Sequence, residues 1–208
     1  MHSEPPVSQR LRALVRSMPR TGITLSKLIR SVGNDGLLIL VALLTLVFLI
    51  PISIPGVSTV FGAAILLISV SRLIGRDLWI PSKLEHRVIG TRKLRPLLRK
   101  ALSWLKKLER VSKPNRIQWL VAAGAVAFFN NAALILGAVL LMMPFGLIPF
   151  SNTFPAVAIL FLAIGLLQRD GVCILLGHIS NVVTIIYFGV LIGGGGLAVR
   201  ELVNRFVG

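Results

Sequence analysis

Few side chains in the apolar parts of this 208-residue chain can do chemistry: some recur in pairs, while Asn130, Asn131, His178, Asn181 and Thr184 lie singly in or at the edges of the remaining apolar segments. Arg76-Asp77 and Arg169-Asp170 each close an apolar stretch. Ser58-Thr59 and Ser151-Asn152 each follow a proline/glycine break. A carboxylate beside an arginine can titrate, and hydroxyls beside proline-freed carbonyls can contact a cation. This is the chemistry of binding and moving ions. No Ser-His-Asp set, paired glutamates, phosphate loop or dinucleotide fingerprint is present, so no enzyme is expected. His2, His86 and His178 are too scattered for a metal site, and no cofactor is implied. Cys173, the single cysteine, has no partner for a disulfide within the chain.

The elements that position these residues are apolar. Hydrophobic residues make up 55% of the chain and charged ones 14%, with a mean hydropathy of +0.85. That excludes a disordered chain and predicts an integral membrane protein. The segments 36–71 and 117–168 carry no Lys, Arg, Asp or Glu. Of 23 basic residues, six lie in 1–35 and fourteen in 72–116, for a net charge of +16. The positive-inside bias places both basic segments in the cytoplasm, beside a membrane crossed several times. The first apolar run begins near Gly36, too late for a cleaved secretory signal.

The basic segments have helical, amphipathic spacing. Leu25, Leu28, Ile29 and Val32 form one stripe, with Thr24 placed as its N-cap. Leu94, Leu97, Leu98, Ala101, Leu105 and Leu108 form another, opposed by Arg99, Lys100, Lys106, Lys107 and Arg110. Such helices lie on a membrane surface with their basic face on anionic lipid; nucleic acid is not expected as a partner.

An internal repeat organises the rest. Shifted by 93 residues, 37–77 aligns with 130–170 without a gap, matching Pro51 with Pro144, Ser58 with Ser151, Phe61 with Phe154, and Arg76-Asp77 with Arg169-Asp170. Each copy reads as an apolar arm, a proline-rich break and a second apolar arm. The arms, at 12 to 17 residues, fall short of the roughly 20 needed to cross a bilayer. Paired short segments interrupted by Pro and Gly point to re-entrant hairpins around a transport site. The expected architecture is all-α and polytopic: a 1–35 surface segment, hairpin 36–77, basic loop 78–116, a crossing plus second hairpin over 117–170, and a last span with tail over 171–208. Crossings at 117–129 and 171–197 would make the two hairpins an inverted pair. Shielding two broken helices from lipid favours a homodimer.

Each candidate also has a structural reading. Ser58 and Ser151 are placed to cap the second arms, the Arg-Asp pairs to flank helices at the interface, and His178 to pack within a span, with a proton relay as its alternative. Gly193 to Gly196 suit close helix packing.

The motifs Ile-Pro-Gly-Val-Ser-Thr-x-x-Gly (54–62) and Ala-Ile-Leu-Phe-Leu-Ala-Ile-Gly-Leu-Leu-Gln-Arg-Asp-Gly (158–171), with the basic loop between, resemble the ExoD family of bacterial exopolysaccharide-synthesis membrane proteins. The resemblance spans about residues 8 to 200. It implies a role in exopolysaccharide production and tolerance of alkaline conditions, and hence ion or pH homeostasis. The expected function is movement of protons or monovalent cations. Ser58, Thr59, Ser151 and Asn152 would contact the ion, while Asp77 and Asp170, gated by Arg76 and Arg169, titrate. Two alternatives stand beside it: a non-transporting scaffold acting through the basic loop, and an anion or lipid-phosphate carrier.

Overall fold

The computed structural model describes residues 23–49, 56–75, 88–89, 116–145 and 148–207, with the isolated positions 12, 16 and 103. Most of these residues are helical, joined by turns, with a two-residue antiparallel ladder, Ile23–Thr24 on Val88–Ile89. Among the described residues the α-helices are α1 (Leu25–Leu46), α2 (Val57–Ile74), α3 (Ala125–Leu141), α4 (Thr153–Gln168) and α5 (Gly171–Val207).

Local sequence sets each boundary. Helix α1 begins directly after Thr24, narrows to a 3-10 turn at Val47–Leu49 and ends before Pro51, whose ring disfavours helix in the residue preceding it. It runs unbroken through position 35, so the amphipathic basic stripe and the first apolar arm are one helix. Helix α2 lies between two left-handed glycines, Gly56 at φ 83° and Gly75 at φ 69°, conformations that glycine adopts without a Cβ penalty. The separate crossing expected over 117–129 is not formed. Gln118–Val121 is a 3-10 turn, Gly124 at φ 77° breaks the chain, and Ala125 opens α3. The inverted arrangement depended on that crossing.

The four repeat helices form a ring in which α1 touches α2, α2 touches α3, α3 touches α4, and α4 closes on α1. The most extensive contacts within it join the copies, α2 against α3 and α1 against α4. The two hairpins therefore bury each other. A side chain at Gly62, early in α2, would run into Met142 at the end of α3, so the turn regions of both hairpins lie close together.

Burial follows the 93-residue repeat. The buried positions Val41, Thr45, Phe48, Ser58, Ile65 and Ser69 have buried counterparts in Leu134, Ala138, Leu141, Ser151, Ala158 and Leu162. Where the first copy buries a hydroxyl and the second does not, the hydroxyl is satisfied within its own helix. Thr45 donates to the Val41 carbonyl at 2.7 Å and Ser69 to that of Ile65 at 2.8 Å.

Helix α4 is apolar on all sides and is enclosed by α1, α3 and α5, with Ala156, Ala158, Ile159 and Leu162 fully buried. Helix α5, at 37 residues, is about 55 Å long. Its portion Gly171–Gly194 is long and apolar enough to cross a membrane. It is not a core helix, since Leu175, Ile179, Val182, Ile186 and Val190 face outward.

Candidate functional site

The residues singled out in the sequence do not converge on one site. Ser151 and Asn152 precede α4, while Arg169 and Asp170 follow it, at opposite ends of a helix about 24 Å long. Thr59 is exposed and Ser58 is buried within the first turn of α2. Arg76 and Asp77 lie outside the described residues, as does most of the basic loop expected to meet anionic lipid.

The serines are not helix caps. Gly56 and Asn152 hold the cap positions, neither with a capping side-chain bond. Ser151 acts on the turn before it, its buried hydroxyl shared between the carbonyls of Phe145 at 2.7 Å and Ile148 at 2.8 Å. Tyr187 on α5 donates to the Pro149 carbonyl at 2.7 Å, and Phe188 packs on Phe145 with ring centroids 5.1 Å apart. The second break is thus tied internally and to α5, as backbone shielded from water requires.

At the other end of α4 the adjacent residues Arg169 and Asp170 part company. Arg169 adopts the left-handed conformation that ends α4 and is exposed, whereas Asp170 is buried. The Asp170 carboxylate accepts the Val172 N–H at 3.0 Å, and its carbonyl accepts the Ile174 N–H at 3.2 Å. This is N-cap geometry, with a negative group at the positive end of the α5 dipole. The Cys173 thiol stands 3.6 Å from the second carboxylate oxygen. The next residue, Gly171, donates its N–H to the Arg116 carbonyl at 2.9 Å. A Cβ there would lie 2.7 Å from that oxygen and collide with the Ile117 carbonyl. The Arg-Asp-Gly motif therefore turns α4 into α5 and binds the segment before α3.

The polar groups the structure does bring together lie between α3 and α5. Asn130, buried at the start of α3, donates from Nδ2 to the Leu120 carbonyl at 2.7 Å. Its Oδ1 is 2.9 Å from His178 Nε2 on α5. One turn further, buried Asn181 donates to the Ala133 carbonyl of α3 at 2.9 Å, and its own Oδ1 is buried with no hydrogen-bond partner. Gly137 makes room for it, since a Cβ there would lie 3.3 Å from that oxygen. Thr184, fully buried, continues the same face of α5. In the sequence these residues stand as separate candidates in the apolar segments, while the hairpin turns and Arg-Asp pairs carry the site expectation. One signal marks their place in the repeat: at the 93-residue offset, Asn130 and Asn131 replace Leu37 and Leu38. Among the described residues, no three His, Cys, Asp or Glu side chains are grouped to hold a metal ion.

An all-helical bundle with an outward-facing, membrane-length apolar helix and a buried polar seam defines a membrane-associated helical protein. The particular family follows from comparison: the ExoD family, described as exopolysaccharide synthesis, matches residues 7–190. The chain is 46% identical over 189 residues to protein ExoD of Rhizobium meliloti, covering 91% of this chain and 78% of that protein. It is 32% identical over 176 residues to an uncharacterized protein of Synechocystis sp., covering 81% and 80% respectively. The chain belongs to the ExoD family and is linked through it to exopolysaccharide synthesis. No solved structure matches it.

Proposed function

We propose that this protein is a multi-pass protein of the bacterial inner membrane that moves protons or monovalent cations and so supports exopolysaccharide synthesis through ion or pH homeostasis. The observation that carries the proposal is the seam between α3 and the membrane-length portion of α5, where Asn130, His178, Asn181 and Thr184 stand among mostly apolar residues. Polar side chains at membrane depth are costly, and a buried amide oxygen without a donor is more so. The multi-pass reading is supported by outward apolar residues on several helices: Val60 and Leu67 on α2, Phe128, Phe129 and Val139 on α3, and Leu175, Ile179, Val182, Ile186 and Val190 on α5. In this reading the two hairpins stand side by side with their turns toward one face. Homodimer formation and contact of the basic 83–116 face with anionic lipid belong to the same reading.

The proposed ion path shifts from the hairpin turns to the seam. Asp170 stands at its entrance as the cap of α5, and Ser151 and Asn152 hold the turn at its far end. Arg169 borders the entrance, and Arg76 and Asp77 are assigned to the exit of the other hairpin. Ser58 and Thr59 sit where that hairpin enters α2.

Cells lacking the protein separate this function from a scaffold. After a shift to alkaline medium, a transporter predicts that cytoplasmic pH recovery fails and returns with the wild-type gene, while exopolysaccharide yield at neutral pH is affected less. A scaffold predicts the reverse: polysaccharide lost at every pH, with pH recovery intact. The second pattern would overturn the transport reading.

A further inference from the structure

We propose that His178 is the proton-accepting group of the α3–α5 seam, taking up a proton on Nδ1 while its Nε2–H stays bonded to Asn130. The Leu120 carbonyl can only accept, so the Asn130 atom 2.7 Å from it must be the amide nitrogen. That orients Asn130 Oδ1 toward α5. An amide oxygen can only accept, so the ring nitrogen 2.9 Å away must carry a hydrogen. His178 is thereby fixed as the Nε2–H tautomer when neutral, and Nδ1 is the one ring atom left to accept a proton. Uptake forms an N–H bond at Nδ1 from hydrated proton, leaving imidazolium and water; release reverses it. The bond to Asn130 persists in both states, so the group can load and unload without the helices parting.

The surroundings suit a carrier more than a fixed ion pair. Helix α3 contains no ionisable residue, and neither does α4 before its exposed cap Arg169. On α5 itself the nearest inward-facing acid is Asp170, eight residues earlier and about 12 Å along the axis, with Cys173 between them. Arg116 lies beyond the 3-10 turn and is exposed. No carboxylate on these elements holds His178 permanently charged. Three residues onward, the buried Asn181 Oδ1 offers an acceptor that nothing in the bundle occupies.

The inference deepens the transport reading by naming the proton as the species and His178 as its carrier. It is tested by 15N NMR of histidine-labelled wild-type protein in lipid, with His178→Gln used to assign the resonance. The expected result is a neutral His178 protonated at Nε2, whose Nδ1 becomes protonated as the pH is lowered. A neutral form protonated at Nδ1, or a ring that stays neutral down to the pH at which the protein unfolds, would overturn it. Vesicle proton flux is measured in parallel, and flux present in the wild type but lost in His178→Gln supports the assignment. Equal flux in both rejects His178 as the carrier. Wild-type vesicles without flux would remove the transport reading, and the titration alone would then decide the protonation site.

Discussion

Gly171→Ala is expected to destabilise the protein by about 3 kcal/mol, as overpacking against immovable neighbours does. The added methyl meets the carbonyl oxygens of Arg116 and Ile117, both backbone atoms, and one of them accepts the Gly171 N–H. Relief requires separating α5 from the segment that leads into α3. That loosens the Asp170 cap and the Asn130 contact with Leu120 together. The contrast is Gly193→Ala, further along α5, where a Cβ meets nothing within 4 Å. There the change is expected to be neutral or to stabilise by up to about 1 kcal/mol, the helix preference for Ala over Gly. Thermal unfolding in detergent checks both, and a Gly171→Ala protein that melts with the wild type would contradict this account of the Arg-Asp-Gly motif.

The second large effect is expected at Asn130. Replacing it with Leu fills a similar volume but removes the donor to the Leu120 carbonyl and the acceptor for His178. The Leu120 carbonyl and the His178 ring N–H each lose their partner. The expected cost is about 1–2 kcal/mol, the upper part of the range for interhelical hydrogen bonds in membranes. Vesicle proton flux is expected to fall with it. Asn181→Leu provides the comparison: it loses one bond, to Ala133, but also removes an acceptor that has no partner. Its destabilisation should be clearly smaller. Equal melting temperatures for Asn130→Leu and the wild type would show that the seam holds nothing together.

Much of the helical architecture was legible because it rests on local chemistry. Proline breaks, charge-free arms and terminal glycines each act over a few residues, and the repeat aligned Pro51 with Pro144 and Ser58 with Ser151 before any packing was known. The continuity of α1 was hidden because Asn34, Asp35 and Gly36 look like punctuation yet are tolerated inside a helix. The break in helix over 117–129 rests on backbone conformation, with Ile117 at φ 46°, a 3-10 turn over Gln118–Val121 and Gly124 at φ 77°. The two Arg-Asp pairs look alike in sequence. The second caps α5 through Asp170, and the close approach of Arg116 to Gly171 ties that cap to the segment before α3, where the first copy has Leu78 in place of the glycine. The seam was least legible. Asn130 and His178 are 48 residues apart, and no spacing rule joins side chains on different helices.

The central claim is that the protein moves protons or monovalent cations, and wild-type flux in reconstituted vesicles tests it most directly. Purified protein is placed in vesicles holding a pH-sensitive dye, and sodium and potassium pulses are applied on either side of an imposed pH gradient. The account predicts dissipation of the gradient well above that of protein-free vesicles, lost in Asn130→Leu and retained in Gly193→Ala. Traces from folded wild-type protein that match protein-free vesicles under every gradient and cation would contradict it.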